Sequence, residues 1–282
     1  MAVRVSERLE ELRAKVSDLQ AEQRLREIVP LLRESAELTR LEAGDDSSAY
    51  VAALNELGSL LRTLKELDDS ETVFLKAAGI EAEARGRETP DYATCINNLA
   101  GTYRLKGDYE KAESLFGEAI QIYERELGTE HFMYLSVLNN LGLVYQDMKR
   151  YDAAEDLHRK ALAVLQKSGK RGTVYATTLN NLAAVSMATG RHQEAERFLE
   201  ETLELYEQTD GKESVLYLTG LNNLAAVNYL SGAYDQAERR FSQALALIER
   251  VLGADHPDWA KTSKNLARTR ERMQTPEGEE RQ

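Results

Sequence analysis

The segment Ile96-Asn97-Asn98-Leu99-Ala100 returns as Leu138-Asn139-Asn140-Leu141-Gly142, Leu179-Asn180-Asn181-Leu182-Ala183 and Leu221-Asn222-Asn223-Leu224-Ala225. The first Asn of each pair follows the one before by 42, 41 and 42 residues. A fixed period of this size marks a repeat array, in which each unit is one supersecondary element that buries its apolar face only by stacking on the next. Leu54-Asn55-Glu56-Leu57-Gly58 extends the period upstream, and Ser263-Lys264-Asn265-Leu266-Ala267 extends it downstream. The array therefore fills the chain, and its 282 residues imply a unit count rather than a domain count.

Only four prolines and frequent Ala, Leu, Glu and Arg predict helices throughout. Gly44, Gly86, Gly128, Gly169, Gly211 and Gly253 recur with the same spacing. Glycine takes a left-handed conformation without a Cβ clash, so each is expected just past the end of a second helix. Within each pair the first helix opens on Tyr50, Tyr92, Tyr134, Tyr175 or Tyr217. The second sets a bulky Phe74, Phe116, Leu199 or Phe241 beside small residues such as Ala112 and Ala119. Gly107, Gly190 and Gly232, or Lys65-Glu66 and Lys149-Arg150, form short connections that make each pair an antiparallel hairpin.

Gly44 brings residues 1–48 into register as a degenerate N-terminal capping hairpin, although Leu9, Leu12, Val16 and Leu19 alone would also fit a short coiled coil. Pro30 suits a first helical turn, so the second helix of this cap is expected to start there. Five repeats follow, at 49–90, 91–132, 133–173, 174–214 and 215–257. Residues 258–274 form a C-terminal capping helix, and 275–282 a flexible tail.

The small-large-small pattern of Ala112, Phe116 and Ala119, with Leu99 and Tyr103 before it, resembles the tetratricopeptide repeat (TPR). The usual unit of that family has about 34 residues. The longer period, the Leu-Asn-Asn-Leu-Ala phrase and links such as Leu252-Gly253-Ala254-Asp255-His256-Pro257 resemble the kinesin-light-chain type. The resemblance implies an all-α fold, a right-handed TPR superhelix (α-solenoid) of about six helix hairpins plus a capping helix. It also implies a concave groove, lined by the first helices, that binds a peptide segment of a partner protein. The motor role of that family is not carried over.

On that geometry the groove holds Asn97, Asn98, Asn139, Asn140, Asn180, Asn181, Asn222 and Asn223, with Arg62, Arg104, Gln146, Met187 and Tyr229 beside them. Asn in a helix interior costs up to roughly 0.7 kcal/mol relative to Ala, so eight need something to offset them. One reading is that their amides pair with the backbone of an extended peptide. The other is that they bond across adjacent hairpins and hold the array together. Arg62 and Arg104 either recognise acidic side chains or a terminal carboxylate, or are solvated surface arginines. Met187, Tyr229 and Leu230 either form an apolar pocket or pack on the following hairpin. Ser186 and Asn228, which stand where Tyr103 and Tyr145 stand in earlier repeats, are expected to loosen the contact there.

A formal charge of −12 opposes non-specific binding to nucleic acid or an anionic membrane. Residues 1–13 hold no apolar core of signal-peptide length, and Cys95 is the only cysteine, which points to a reducing, cytoplasmic setting. No catalytic, metal-binding or cofactor motif stands out, and His158, at the repeat position of Phe116, is expected to fill core. The expectation is a non-enzymatic scaffold or adaptor without cofactors, a monomer or weak dimer. A peptide-responsive regulator and a structural subunit of an assembly are the alternatives.

Overall fold

A computed structural model describes residues 2–274, so the tail expected at 275–282 lies outside the described residues. These residues form thirteen α-helices and no strand, an all-α repeat fold. The chain divides into two compact units, Met1–Met148 and Lys149–Gln282.

The first unit holds α1 (Ala2–Ala21), α2 (Leu25–Ala43), α3 (Ser48–Thr63), α4 (Leu67–Ala84), α5 (Pro90–Lys106), α6 (Tyr109–Glu126) and α7 (Phe132–Asp147). Each helix packs on the one before it, and α5 also touches α3 and α7. Along α1, Leu9, Leu12, Val16 and Leu19 are buried; Val16 and Leu19 join Ile28, Leu32, Leu57 and Leu61 in one core cluster. The apolar spacing in α1 therefore serves the α1/α2 hairpin.

The second helix of this hairpin begins at Leu25, so Pro30 lies inside it, contrary to the expected start. The reason is burial. Starting at Pro30 would leave Ile28, which is fully buried, outside the helix. Burying such a side chain contributes about 1.5–3 kcal/mol. An early, solvent-facing proline forfeits a backbone hydrogen bond of roughly 1 kcal/mol net.

Between α3 and α4 the turn residue Lys65 has φ 65°, the left-handed conformation that Gly107 adopts between α5 and α6 with φ 81°. Hydroxyl caps fix where the first helices start: the amides of Tyr50 and Tyr92 donate to the Oγ of Ser47 and the Oγ1 of Thr89, both at 3.2 Å. Gly58 lets two helices approach, since a Cβ there would lie 2.8 Å from the Phe74 ring.

The second unit holds α8 (Tyr151–Ser168), α9 (Thr173–Ala188), α10 (His192–Thr209), α11 (Val215–Leu230), α12 (Tyr234–Val251) and α13 (Pro257–Gln274). Again successive helices pack, and α13 lies against both α12 and α11. Ala237, Phe241 and Ala244 are buried on one face of α12, the same small-large-small device as Ala112, Phe116 and Ala119 on α6.

Candidate functional site

In the first unit the Asn residues bond to one another. Asn98 Nδ2 donates to Asn55 Oδ1 at 3.2 Å, and Asn140 Nδ2 donates to Asn97 Oδ1 at 3.1 Å. The second Asn of one repeat thus reaches the first Asn position of the repeat before it. These bonds use Oδ1 of Asn97 and leave its own amide protons outside the ladder. Asn139 is buried.

The two arginines differ. Arg62 lays its guanidinium 5.6 Å from the Phe74 ring centroid and donates through Nη1 to the backbone carbonyl of Asn98 at 2.9 Å. It fits because Gly101 has no side chain, since a Cβ there would sit 2.7 Å from Arg62 Nη1. Burial first, and then the neighbouring Arg104, hold the Arg62 pKa below the ordinary arginine value. Arg104 is bridged to Asp147, Nη1 to Oδ2 at 2.8 Å. The side chains of Arg62, Asn97, Asn98, Arg104 and Asn140 border a cleft of about 270 Å³ between hairpins, with Leu105 and Phe116 as its apolar part. Gln146 stands on α7, one period after Arg104.

The second unit treats its Asn pairs differently. Asn180 Nδ2 donates to Tyr206 Oη at 3.1 Å, while Asn180 Oδ1 and Asn181 Nδ2 are buried without a partner. Asn222 Oδ1 accepts from Thr262 Oγ1 at 3.2 Å, and Asn223 is exposed. Met187 packs against the core of Ala183, Ala195, Leu199, Leu224 and Val227. Tyr229 packs against Phe241 and Leu266 and meets Tyr234 edge-on at 5.6 Å, whereas Leu230 beside it is 52% exposed.

The tetratricopeptide repeat family model matches residues 50–125, 91–167, 174–247 and 217–277. The chain belongs to the tetratricopeptide repeat family. This TPR chain is similar in fold to solved structures of related arrays. One is BtubC (BKLC) from P. vanneervenii, at 21% identity and TM-score 0.64, covering 88% of this chain and 94% of that one. Another is the set of nearly identical TPR-like repeats of a putative kinesin light chain from Podosopora anserina, at 21% identity and TM-score 0.61, covering 71% of this chain and 95% of that one. The apo form of RapI is similar over 94% of this chain and 98% of its own, at 16% identity and TM-score 0.58. No curated protein sequence matches the chain. The TPR fold implies a protein-interaction scaffold, and the repeat fold is what these neighbours share with this chain.

The TPR junctions within each unit also carry a set of acids that the sequence reading missed. Glu71, Glu113, Glu155, Glu196 and Glu238 recur with the repeat period, one on each of α4, α6, α8, α10 and α12. Tyr103 donates to Glu71 at 3.0 Å, Tyr145 to Glu113 at 2.8 Å, Asn228 to Glu196 at 2.7 Å and Arg270 to Glu238 at 2.8 Å. Arg191, followed by Arg159, holds the Glu155 carboxyl down at about 2 against the opposing effect of burial. Asn228 therefore does not loosen its contact: it is fully buried, gives a hydrogen bond to Glu196 and accepts one from Arg240. Ser186 is buried too and donates to Glu194 at 3.2 Å. The period of these acids was visible, but the tyrosine partner recurs only at Tyr103 and Tyr145 and gives way to Arg191, Asn228 and Arg270 at the later acids, so no pair ran through the array to announce them.

His158 is fully buried, and that burial pushes its imidazole down to about 4. Burial likewise pushes the Cys95 thiol up to about 11, which keeps it protonated and unreactive. Among the described residues no cluster of His, Cys, Asp or Glu could hold a metal ion, and no helix is long and apolar enough to cross a membrane.

Proposed function

We propose that this TPR protein is a non-enzymatic adaptor that holds an extended, acidic segment of a partner protein along its first helices. The observation that carries the reading is Arg62. A half-buried cation with a backbone carbonyl, an aromatic face and another arginine around it lacks the carboxylate that most arginines of this chain have. A partner's acidic side chain or terminal carboxylate entering the cleft beside Arg62 and Arg104 supplies that charge through planar, charge-assisted hydrogen bonds. Asn97 and Asn140 border the same cleft and offer amide groups to the backbone of the entering segment. Since backbone contacts are indifferent to side chains, the two arginines supply the selectivity and the Asn residues the reach.

An adaptor of this kind needs no cofactor. Its inert thiol fits a reducing cytoplasmic setting, and it acts as a monomer or weak dimer. The test is to pan a phage-displayed library of short random peptides against the full chain and measure the enriched peptides against Arg62→Gln and Asn97→Ala variants. Enriched peptides rich in Asp or Glu that bind roughly tenfold more weakly to Arg62→Gln, at unchanged melting temperature, support the reading. Peptide binding that ignores both substitutions sinks it.

A further inference from the structure

The cleft beside Arg104 has a counterpart in the second unit at the same place in the repeat. Gly101 and Ala226, Phe116 and Phe241, and Asn140 and Asn265 are corresponding wall residues of the two clefts, each pair standing 125 residues apart, three periods. In both, a small residue on a first helix opens the space, a phenylalanine of the hairpin's second helix lies beneath, and an Asn of the next first helix closes it. The chemistry has changed. Where the first unit has Arg104, the second has Tyr229, and the cleft of about 240 Å³ is walled by Tyr229, Phe241 and the exposed Leu230. Arg268 on α13 stands at its rim. A smaller cleft of about 170 Å³ shares Ala226 and Asn265 with it and is bordered by Lys261, two helical turns before Arg268. Lys261 and Arg268 are exposed and make no ion pair among the described residues, although the chain carries an excess of acidic groups.

We propose that α13 is one half of a second binding subsite, which takes an apolar side chain of a partner peptide between Tyr229, Leu230 and Phe241 and holds a neighbouring Asp or Glu of that peptide at Arg268 and Lys261. The inference rests on the reading of the chain as a peptide-binding adaptor and adds to it a residue class and a place. Two exposed cations on one face of α13, next to an apolar cleft, complement a segment in which an apolar residue adjoins a carboxylate. A neutral apolar segment would leave both cations unused. The helix expected only to close the array thereby supplies the charge that the apolar cleft lacks.

The experiment uses the full chain and the same random peptide library, with Ala226→Leu to fill the cleft and Arg268→Gln to remove the rim charge. A class of enriched peptides with an apolar residue beside Asp or Glu is expected to bind roughly tenfold more weakly to Arg268→Gln and to lose binding to Ala226→Leu. Arg268 is exposed and unpaired, so Arg268→Gln decides the matter should Ala226→Leu lower the melting temperature. Enriched peptides that depend on Arg62 but ignore Ala226→Leu and Arg268→Gln overturn this inference and leave the adaptor reading standing. A library that yields no binder overturns both. A dimer in sedimentation that Ala226→Leu dissolves would assign the cleft to a second copy of the chain and overturn it as well.

Discussion

Asn140 gives its side-chain amide to Asn97 across one repeat junction, Nδ2 to Oδ1 at 3.1 Å. The pair joins α7 to α5, so part of what offsets these poor helix formers is a bond between hairpins. A net hydrogen bond contributes about 0.5–1.5 kcal/mol, while Asn→Ala regains up to roughly 0.7 kcal/mol of helix propensity. Either single Ala variant should therefore change stability little. The information lies in the coupling: a double-mutant cycle of Asn97→Ala and Asn140→Ala, read by urea unfolding, should give an interaction energy of about 0.5–1.5 kcal/mol. A coupling indistinguishable from zero would remove the ladder from the list of forces that hold the junction.

Asp147 sits on Arg104 as an internal carboxylate. An acidic peptide entering the cleft competes with it, so Asp147→Asn is expected to tighten binding of such a peptide. The pair is partly exposed, at 25% and 36% for the two side chains, so the gain stays within the range of surface pairs, up to about fivefold. Titrations at low and high salt check this, with the difference shrinking as salt screens the charges. Weaker binding in the variant would mean that Asp147 orients Arg104 rather than occupying it.

Lys65 takes a left-handed conformation where Gly107, Gly190 and Gly232 stand in other repeats. A side chain in that region costs about 1–2 kcal/mol, and the added freedom of glycine in the unfolded chain returns part of it. Lys65→Gly should stabilise the protein by about 0.5–1 kcal/mol, seen as a higher urea midpoint at unchanged slope.

His158 predicts a pH dependence. Its folded value of about 4 lies below the ordinary 6.5, because burial disfavours the charged ring. As pH falls, the unfolded chain takes up this proton first. Stability is then complete above pH 6.5 and declines between there and about 4, by up to about 3 kcal/mol. His158→Leu, the residue at the equivalent Leu199, should flatten that part of the profile in denaturant titrations across the window. An unchanged slope would show that the carboxylates alone set the acid response.

The period, the hairpins and the left-handed glycines were readable because each follows from a local rule repeated many times. Tyr50, Phe116 and Ala237 are buried as their positions in the repeat required. Pro30 misled because a local preference for a first turn yielded to the burial of Ile28. The site was less readable, since its contacts run from one repeat to the next. Arg62 and Arg104 occupy one repeat position and looked alike. Only folded geometry separates them, by setting Phe74 and Gly101 around one and Asp147 against the other. The α11–α13 cleft was half visible, through Tyr229 and Leu230. Its other half lay in Asn265 and Arg268 of a helix whose sequence spoke only of capping.

The periodic acids on α4, α6, α8, α10 and α12 bear on how so repetitive a chain finds one arrangement. Near-identical units invite mispairing, in which a hairpin docks one place too early or too late. Here Glu71 expects Tyr103, Glu155 expects Arg191, Glu196 expects Asn228 and Glu238 expects Arg270. Where the partner changes, as from Glu155 to Glu196 to Glu238, a hairpin displaced by one place would set a partly buried carboxylate against a partner of the wrong length or charge. Within the second unit the varied partners thus give each junction its own address, whereas Glu71 and Glu113 both take a tyrosine and leave that distinction to other contacts.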